Sequence, residues 1–489
     1  MIKSPSLDII RSFNNEEFKR FQEFLLSPYF NKNSNLIKIA EYFNKVMPDD
    51  DNDKLTNEKI WHVVYGKKEF NYGIMKNLIY EFKKITEKFL AVEHFDKEEL
   101  TNDLFIIKEF NLRALGELFE KRIHSTKKKI EQSKIDIDKL FSLYELNKID
   151  SVYKENLFRK ESDKLTNDED LSNSFLSYFF SSKFYLLYNQ LINSKFLNSK
   201  PNLKSISIFI DLYENTFKGI NILSDLYFYS VKMTMDPDNV GNYKNLKTLF
   251  FKNFDLIENA SLNNFTSILT TYCQLTKPGS KINFVKEEFG IYCFVLEKGI
   301  YNSDHKKYFD SNLFSRLVEL SILLDKPDWC REFIDKYKKR LSPINKKIRT
   351  QIAEIFLQNH LKNYDYALEI LSKAKPESII ENFKIRSIEI MIFFKLEDYE
   401  RVYALIKNFR SYLEYDGKVS ELVFTAYLAF LNCTKKLADI LVNHSNANDS
   451  KIKLDELLVT FKKEKIANKT WLRSVINEIQ ADKGNVKIK

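Results

Sequence analysis

The residue types that most often carry catalysis are present in this sequence, but none of them has the spacing that catalysis needs. The six histidines stand singly and no HExxH pair occurs, so no helix is predicted to present two imidazoles to a zinc ion. A GxSxG turn, which would expose a nucleophilic serine, is also missing. The two Gly-Lys pairs, Gly66-Lys67 and Gly417-Lys418, lack the earlier glycine that begins a phosphate-binding loop. The sequence therefore predicts no catalytic residue and no cofactor, and an enzyme would need a site assembled from dispersed residues.

Two acidic segments begin like calcium-binding loops, which carry a turn glycine at position six and a bidentate acid at position twelve. Residues 49–53 place aspartates at the first, third and fifth positions, but Lys54 and Ile60 then occupy positions six and twelve. Residues 236–241 supply two aspartates and the glycine, and Lys247 stands where the acid is needed. Both segments are predicted to be ordinary loops, and no metal-binding residue is expected.

The cysteines and the hydrophobic segments indicate in which cellular compartment the protein is expected. Four cysteines lie 20 or more residues apart and form no CxxC pair: Cys273, Cys293, Cys330 and Cys433. This spacing predicts reduced thiols that pack as small apolar residues. The first 18 residues lack the apolar core of a signal peptide, and the longest uncharged stretch, residues 259–276, is too polar for a membrane span. We expect a soluble cytoplasmic protein with no membrane partner.

The elements that carry these residues are predicted to be helices. The 489 residues include only 10 glycines and 9 prolines, about 4% of the chain against roughly 12% on average. So few turn-forming residues disfavour β-sandwiches, barrels and glycine-rich nucleotide folds. With 44% hydrophobic and 30% charged residues the chain can bury a core. The formal net charge of +9 permits a nucleic-acid partner without requiring one.

Apolar residues recur at intervals of three and four along most of the chain, which predicts amphipathic helices. The dipeptide Ser27-Pro28 ends one of the first helices, since proline disfavours a helical residue before it. Thr56 can cap a short helix that stops at Gly66. A long helix follows, whose apolar stripe begins at Ile74 and ends at Val92.

The pattern of helices separated by short polar breaks predicts that the chain consists of three helical regions. An N-terminal helical domain covers residues 1–95, helical hairpins cover 96–442, and capping helices cover 451–489 after a polar linker. The clearest breaks fall at residues 198–201, 236–238, 277–279, 325–328, 342–343, 375–376 and 416–417. Within 451–489, one helix is predicted around residues 454–461 and another around 471–479.

A repeat of 35 residues runs through residues 311–410. An aromatic residue opens the second helix of each unit, at Trp329, Tyr364 and Tyr399. Apolar residues on the first helix keep the same interval, in the series Leu313, Ile348, Phe383; Val318, Ala353, Ile388; Leu320, Ile355, Ile390; and Ile322, Leu357, Ile392. A unit of two short helices cannot bury its apolar faces alone, so the units are expected to stack. The three aromatic residues are expected to occupy equivalent buried sites.

One half of this repeat resembles a known family. Residues 363–374 read Asn-Tyr-x-x-Ala-x-x-x-Leu-x-x-Ala, which resembles the second helix of a tetratricopeptide repeat, and residues 398–409 are a looser copy. The resemblance is specific over about residues 311–410. It implies a right-handed α-solenoid of stacked helical hairpins that binds another protein in its concave groove. The predicted fold is therefore an all-α solenoid with an N-terminal helical domain and a C-terminal helical cap.

Charged residues of the first helices also recur every 35 residues. The two series are Glu319, Glu354, Glu389 and, three residues earlier, Arg316, Gln351, Arg386. The resemblance implies that first helices line the groove. If the chain slips by two residues in the loop before Tyr364, the glutamates form a row that a basic partner segment could bind. The alternative is that Arg316 and Arg386 pair with the glutamate on their own helix, which stabilises a helix by about 0.2–0.5 kcal/mol per pair.

Residues 56–92 suggest nucleic-acid binding as an alternative function. A short helix, a turn and a long helix resemble the layout of a helix-turn-helix DNA reader, and five lysines would then contact nucleic acid: Lys67, Lys68, Lys76, Lys83 and Lys84. Glutamates dilute this charge, and the turn has no Arg or Gln for base readout. The favoured prediction is a non-catalytic cytoplasmic adaptor or scaffold that binds a protein partner in the solenoid groove. The alternative is a transcriptional regulator with the solenoid as its sensor region.

Overall fold

The computed structural model of the chain is built from α-helices. It describes residues 5–46, 55–156, 161–196, 202–275, 283–301, 308–376, 378–415, 421–442, 454, 457–459 and 466–484. These ranges contain no β-strand, which confirms the all-α prediction, and none of their helices is long and apolar enough to cross a membrane. The chain divides into two compact units, Met1–Lys183 with Tyr213–Ser224, and Phe184–Leu212 with Asp225–Lys489.

Within its described residues, the first unit contains eight helices, the beginning of a ninth and the first residues of a later helix. The first nine are α1 (Pro5–Arg11), α2 (Asn15–Leu26), α3 (Ser34–Val46), α4 (Asn57–Tyr65), α5 (Tyr72–Lys97), α6 (Glu99–Leu112), α7 (Gly116–Gln132), α8 (Ile137–Asn156) and the beginning of α9 (Glu161–Phe196). A π-helical turn, Tyr213–Phe217, also belongs to this unit.

Local signals set the ends of the N-terminal helices. Asn14 caps α2 by accepting from the Glu17 backbone N–H, and the Glu17 side chain accepts from the Asn14 N–H, both at 2.9 Å. Thr56 accepts from the backbone of Lys59 at 3.3 Å and begins α4, which ends at Gly66 with φ of 67°. The predicted cap at Thr56 and stop at Gly66 are therefore confirmed, as is the end of α2 before Ser27.

Two hydrophobic clusters form the core of the first unit. One extends over α1–α5, where Phe21 and Phe82 are fully buried. The predicted stripe of α5 is correct from Leu78 onward, but Ile74 is 48% exposed and Met75 is buried in its place. Position 75 lies three residues before Leu78 and so continues the buried face one turn earlier. The other cluster joins α6, α7 and α8, and the predicted boundary at 95–96 falls within α5.

The second unit contains the rest of the described helices. They are the end of α9, α10 (Leu203–Leu212), α11 (Ile222–Met235), α12 (Val240–Lys252), α13 (Asn259–Leu275), α14 (Phe284–Glu297), α15 (Ser311–Leu323), α16 (Pro327–Tyr337), α17 (Pro343–His360), α18 (Tyr364–Lys373), α19 (Ile379–Lys395), α20 (Tyr399–Tyr415), α21 (Glu421–Val442) and α22 (Lys469–Gly484). The first residues of α11, up to Ser224, belong to the first unit.

The predicted repeat corresponds to three helical hairpins, α15–α16, α17–α18 and α19–α20, whose successive helices pack on one another. Each hairpin turns at a non-glycine residue in the left-handed region: Asp325, Lys362 and Glu397, with φ of 55°, 63° and 60°. In each turn, the next backbone N–H bonds to a carbonyl five residues earlier, at 2.9–3.1 Å. This closes the first helix by a Schellman-type bond. The packing fits a helical repeat.

The repeated aromatic residues are half-buried, so their predicted burial is confirmed only in part. Trp329, Tyr364 and Tyr399 each lie in the first turn of the second helix. Each packs against the edge of a core cluster. The beginning of a helix lies beside the hairpin turn, where solvent reaches one side of the ring. The aliphatic positions Leu320, Ile355 and Ile390 are fully buried, as the repeat predicts.

Other predicted boundaries are confirmed where the chain is described. Helix ends flank the breaks at 236–238, 325–328, 342–343 and 375–376, and α22 contains the predicted helix at 471–479. The breaks at 198–201, 277–279 and 416–417 lie largely or wholly outside the described residues. So do the acidic segment at 49–53, the linker at 443–450 and half of the predicted helix at 454–461.

Candidate partner-binding groove

A groove of about 820 Å³ lies in the second unit. Five helices line it: α13, α14, α15, α17 and α19. Three of these, α15, α17 and α19, are the first helices of the three hairpins. Most of the lining side chains are polar or charged, so the groove offers hydrogen bonds and charges beside the apolar parts of its lining.

A buried ion pair holds Arg316, one of the cations that line the groove. The Glu288 carboxylate on α14 is only 1% exposed. It accepts from Nη2 of Arg316 at 2.7 Å and from Nε at 2.9 Å, and Gln274 on α13 donates to it at 2.7 Å. Burial alone would lower the pKa of Arg316, but the hydrogen bonds and the charge of Glu288 raise it overall. The side chain is therefore a permanent cation held in one position.

Three further ion pairs continue this network toward α19. Glu319 accepts from Nη1 of Arg316 at 3.3 Å and also binds the Lys384 ammonium. Arg349 on α17 lies 3.1 Å from the Glu381 carboxylate and donates to the Ser315 hydroxyl at 3.1 Å. The charges that line the groove are thus paired across helices, which fixes their side chains before a partner arrives.

The structure brings Arg316 and Glu319 together in the groove but does not place Glu354 or Glu389 in its lining. Glu319 lies six residues before the left-handed turn residue of its hairpin, whereas Glu354 and Glu389 lie eight residues before theirs. The two-residue slip is therefore present. Because a helix turns about 100° per residue, this slip rotates Glu319 away from the side of the hairpin that Glu354 and Glu389 occupy in theirs. Binding of a partner by these residues stays a prediction.

The remaining predicted residues make other contacts. Glu354 accepts from Gln358 at 2.6 Å and lies 3.9 Å from Arg331. Burial raises the pKa of Glu389, and the charge of Arg386 opposes that shift. The Arg386 guanidinium lies 4.5 Å from the centre of the Tyr412 ring. Gln351 is half-buried on α17. Of the two predicted pairs within a helix, the structure shows the one between Arg316 and Glu319.

The lysines of the alternative function lie in the first unit. Lys67 and Lys68 are exposed in the turn between α4 and α5, and Lys76 and Lys84 are exposed on α5. Lys83 pairs with Glu87 at 3.4 Å on the same helix. These positions carry charge at the surface, and DNA binding by them stays a prediction.

Sequence reasoning did not find three of the charged residues that line the groove, Arg349, Glu381 and Lys384, or Glu288, which pairs with the lining residue Arg316. Two of them carry a local signal. Glu288 is an acid that precedes the apolar run of residues 289–296, so a helix that packs on its apolar face draws this carboxylate inward. Ser378 and Glu381 have the spacing of a capping box, and both hydrogen bonds of that box are formed, at 3.2 Å.

The described residues contain no cluster of His, Cys, Asp or Glu that could hold a metal ion. Burial raises the pKa of Tyr292, which lines the groove, and a hydrogen bond with Thr270 opposes that shift. In comparisons with protein-family models, curated proteins and solved structures, the chain has no significant match.

Proposed function

We propose that this protein is a non-catalytic cytoplasmic adaptor that binds a polar segment of a protein partner in the groove of its second unit. The observation that carries the proposal is the groove itself, on which the first helices of three stacked hairpins converge. Its paired charges are positioned in advance, so binding a segment would cost little side-chain entropy. All four cysteines are free thiols, which supports a reducing compartment.

The contacts of Glu319 indicate what charge a partner segment should carry. Its carboxylate already binds Arg316 and Lys384, so it has less capacity for a further cation than an isolated carboxylate would have. The groove lining combines three cations, Arg316, Arg349 and Lys384, with the anions Asp310, Glu319 and Glu381. This balance favours a partner segment of mixed charge with hydrogen-bonding side chains over a uniformly basic one.

Photocrosslinking from inside the groove tests the proposal. Asn312 lines the groove and is exposed, so a benzophenone amino acid at this position would react with a bound segment. Glu400, exposed on α20 outside the groove lining, provides the control position. We expect a protein crosslinked from position 312 and none from position 400.

The captured protein then allows a binding test. Asn312→Trp fills the groove without removing any of its ion pairs, and Glu400→Trp adds the same ring elsewhere. We expect the first variant to lose the partner and the second to keep it, with unchanged circular dichroism for both. Retention of the partner by a folded Asn312→Trp protein would contradict the proposal.

A further inference from the structure

A surface rich in lysine and tyrosine lies on α5 in the first unit and takes no part in the groove. Four residues at successive intervals of four form it, Tyr72, Lys76, Tyr80 and Lys84, and all are exposed. The two rings are 65% and 54% exposed. Four residues advance a helix by about 6 Å, so rings and ammonium groups alternate along one side of α5. We call these four residues the tyrosine–lysine face.

The turn before α5 adds two more cations beside the first residue of this face. Lys67 and Lys68 are both exposed there. The turn is held in place because the Trp61 indole donates from Nε1 to the carbonyl of Lys68 at 2.8 Å. Gly66, with φ of 67°, supplies the left-handed conformation that begins the turn. The positions of these lysine backbones are therefore fixed relative to α4.

The charges around the face leave an excess of cations. Glu81 accepts from the Asn33 amide at 2.7 Å, and Glu87 pairs with Lys83 at 3.4 Å. Glu69 is exposed in the turn. Among the described residues, no acidic side chain forms a salt bridge with the four lysines that remain: Lys67, Lys68, Lys76 and Lys84.

The exposed rings distinguish this surface from a simple basic patch. An exposed tyrosine offers a flat apolar surface on which another ring can stack. The Lys84 ammonium lies 4.6 Å from the centre of the Tyr80 ring, close enough for a cation–π contact that orients both groups. A partner that satisfies the whole face must therefore combine negative charge with flat rings.

We propose that the tyrosine–lysine face and the turn lysines bind single-stranded nucleic acid, with phosphates against the lysines and unpaired bases stacked on Tyr72 and Tyr80. Stacking platforms flanked by cations bind single strands without sequence preference. The bases of a duplex are already stacked in pairs, so the exposed rings would have no ligand there. An acidic protein segment would use the lysines only. The absence of Arg and Gln from residues 66–72 agrees with binding that does not read sequence.

The test measures fluorescence anisotropy of a labelled oligothymidylate of about 16 nucleotides with the full-length protein over a series of salt concentrations. If four lysines each neutralise one phosphate, log K should fall with log salt with a slope of about −2.8. Tyr72→Ala with Tyr80→Ala should weaken binding at least about 10-fold. Tyr366→Ala, which removes a 49% exposed ring from the second unit, should leave it unchanged. Replacing the four lysines by Gln should flatten the salt dependence.

Three outcomes would overturn the proposal. The protein could fail to bind the oligothymidylate at low salt. It could bind a duplex equally well with no effect of the tyrosine changes, which would indicate phosphate contacts alone. An oligoglutamate of equal charge could compete as well as unlabelled oligothymidylate, which would indicate an acidic protein partner. Circular dichroism of each variant checks the fold, which exposed substitutions should preserve.

Discussion

Removing Arg316 should destabilise the second unit, because the buried carboxylate of Glu288 then loses its ion-pair partner. Arg316→Met keeps most of the side-chain length but removes the two hydrogen bonds to Glu288, at 2.7 and 2.9 Å. Among the described residues, Gln274 is the hydrogen-bond partner that this 1% exposed carboxylate then keeps. Breaking a buried ion pair costs about 3–5 kcal/mol. Because the Arg316 side chain is 31% exposed, we expect the lower end, about 3 kcal/mol.

Urea denaturation and hydrogen exchange together provide the measurement. Two compact units can unfold separately, so a single transition is not assumed. Hydrogen exchange of peptide fragments locates the effect. We expect faster exchange in α14 and α15, which the ion pair joins, and unchanged exchange in α2, which lies in the other unit.

The matched control is the double variant Arg316→Met with Glu288→Gln. It leaves no uncompensated charge in the interior, so most of the lost free energy of unfolding should return. A loss below about 1 kcal/mol for Arg316→Met would refute the reasoning, since so small a value is typical of a surface pair. A double variant no more stable than the single one would refute it as well.

Two further predictions concern a cap and a buried hydroxyl. Ser378→Ala removes the N-cap of α19 and should lower the free energy of unfolding by about 1 kcal/mol; Ser378→Asn should keep the cap, and equal losses for both would contradict this. Burial raises the pKa of the Tyr188 hydroxyl from 10.0 to about 12. The contribution of neutral Tyr188 to the free energy of unfolding is therefore complete below pH 10, and it is lost as the pH rises through about 12. Tyr188→Phe should flatten the pH dependence of the unfolding free energy in that window, and an unchanged curve in urea titrations would show that Tyr188 does not cause it.

Signals within a few residues predicted much of the secondary structure. The cap at Thr56, the stop at Gly66 and the start of α17 at Pro343 follow from side-chain hydrogen bonds and backbone preferences that act locally. The periodicity of apolar residues is less decisive than these signals in the first turn of a helix. Ile74 was placed on the wrong side of α5 because two adjacent apolar residues compete for one buried position, and only the packed helices select Met75.

The sequence by itself determined an all-α chain and a repeat of helical hairpins between residues 311 and 410. Periodic apolar residues must be buried, and a pair of short helices achieves this only by packing on its neighbours. Only the tertiary structure decided which charged residues meet. Glu319 binds Lys384, which is 65 residues away, while Glu354 and Glu389 lie elsewhere because the hairpin turns differ by two residues in register. A periodicity of 35 residues fixes spacing along the chain, whereas the groove depends on how each helix is rotated against its neighbours.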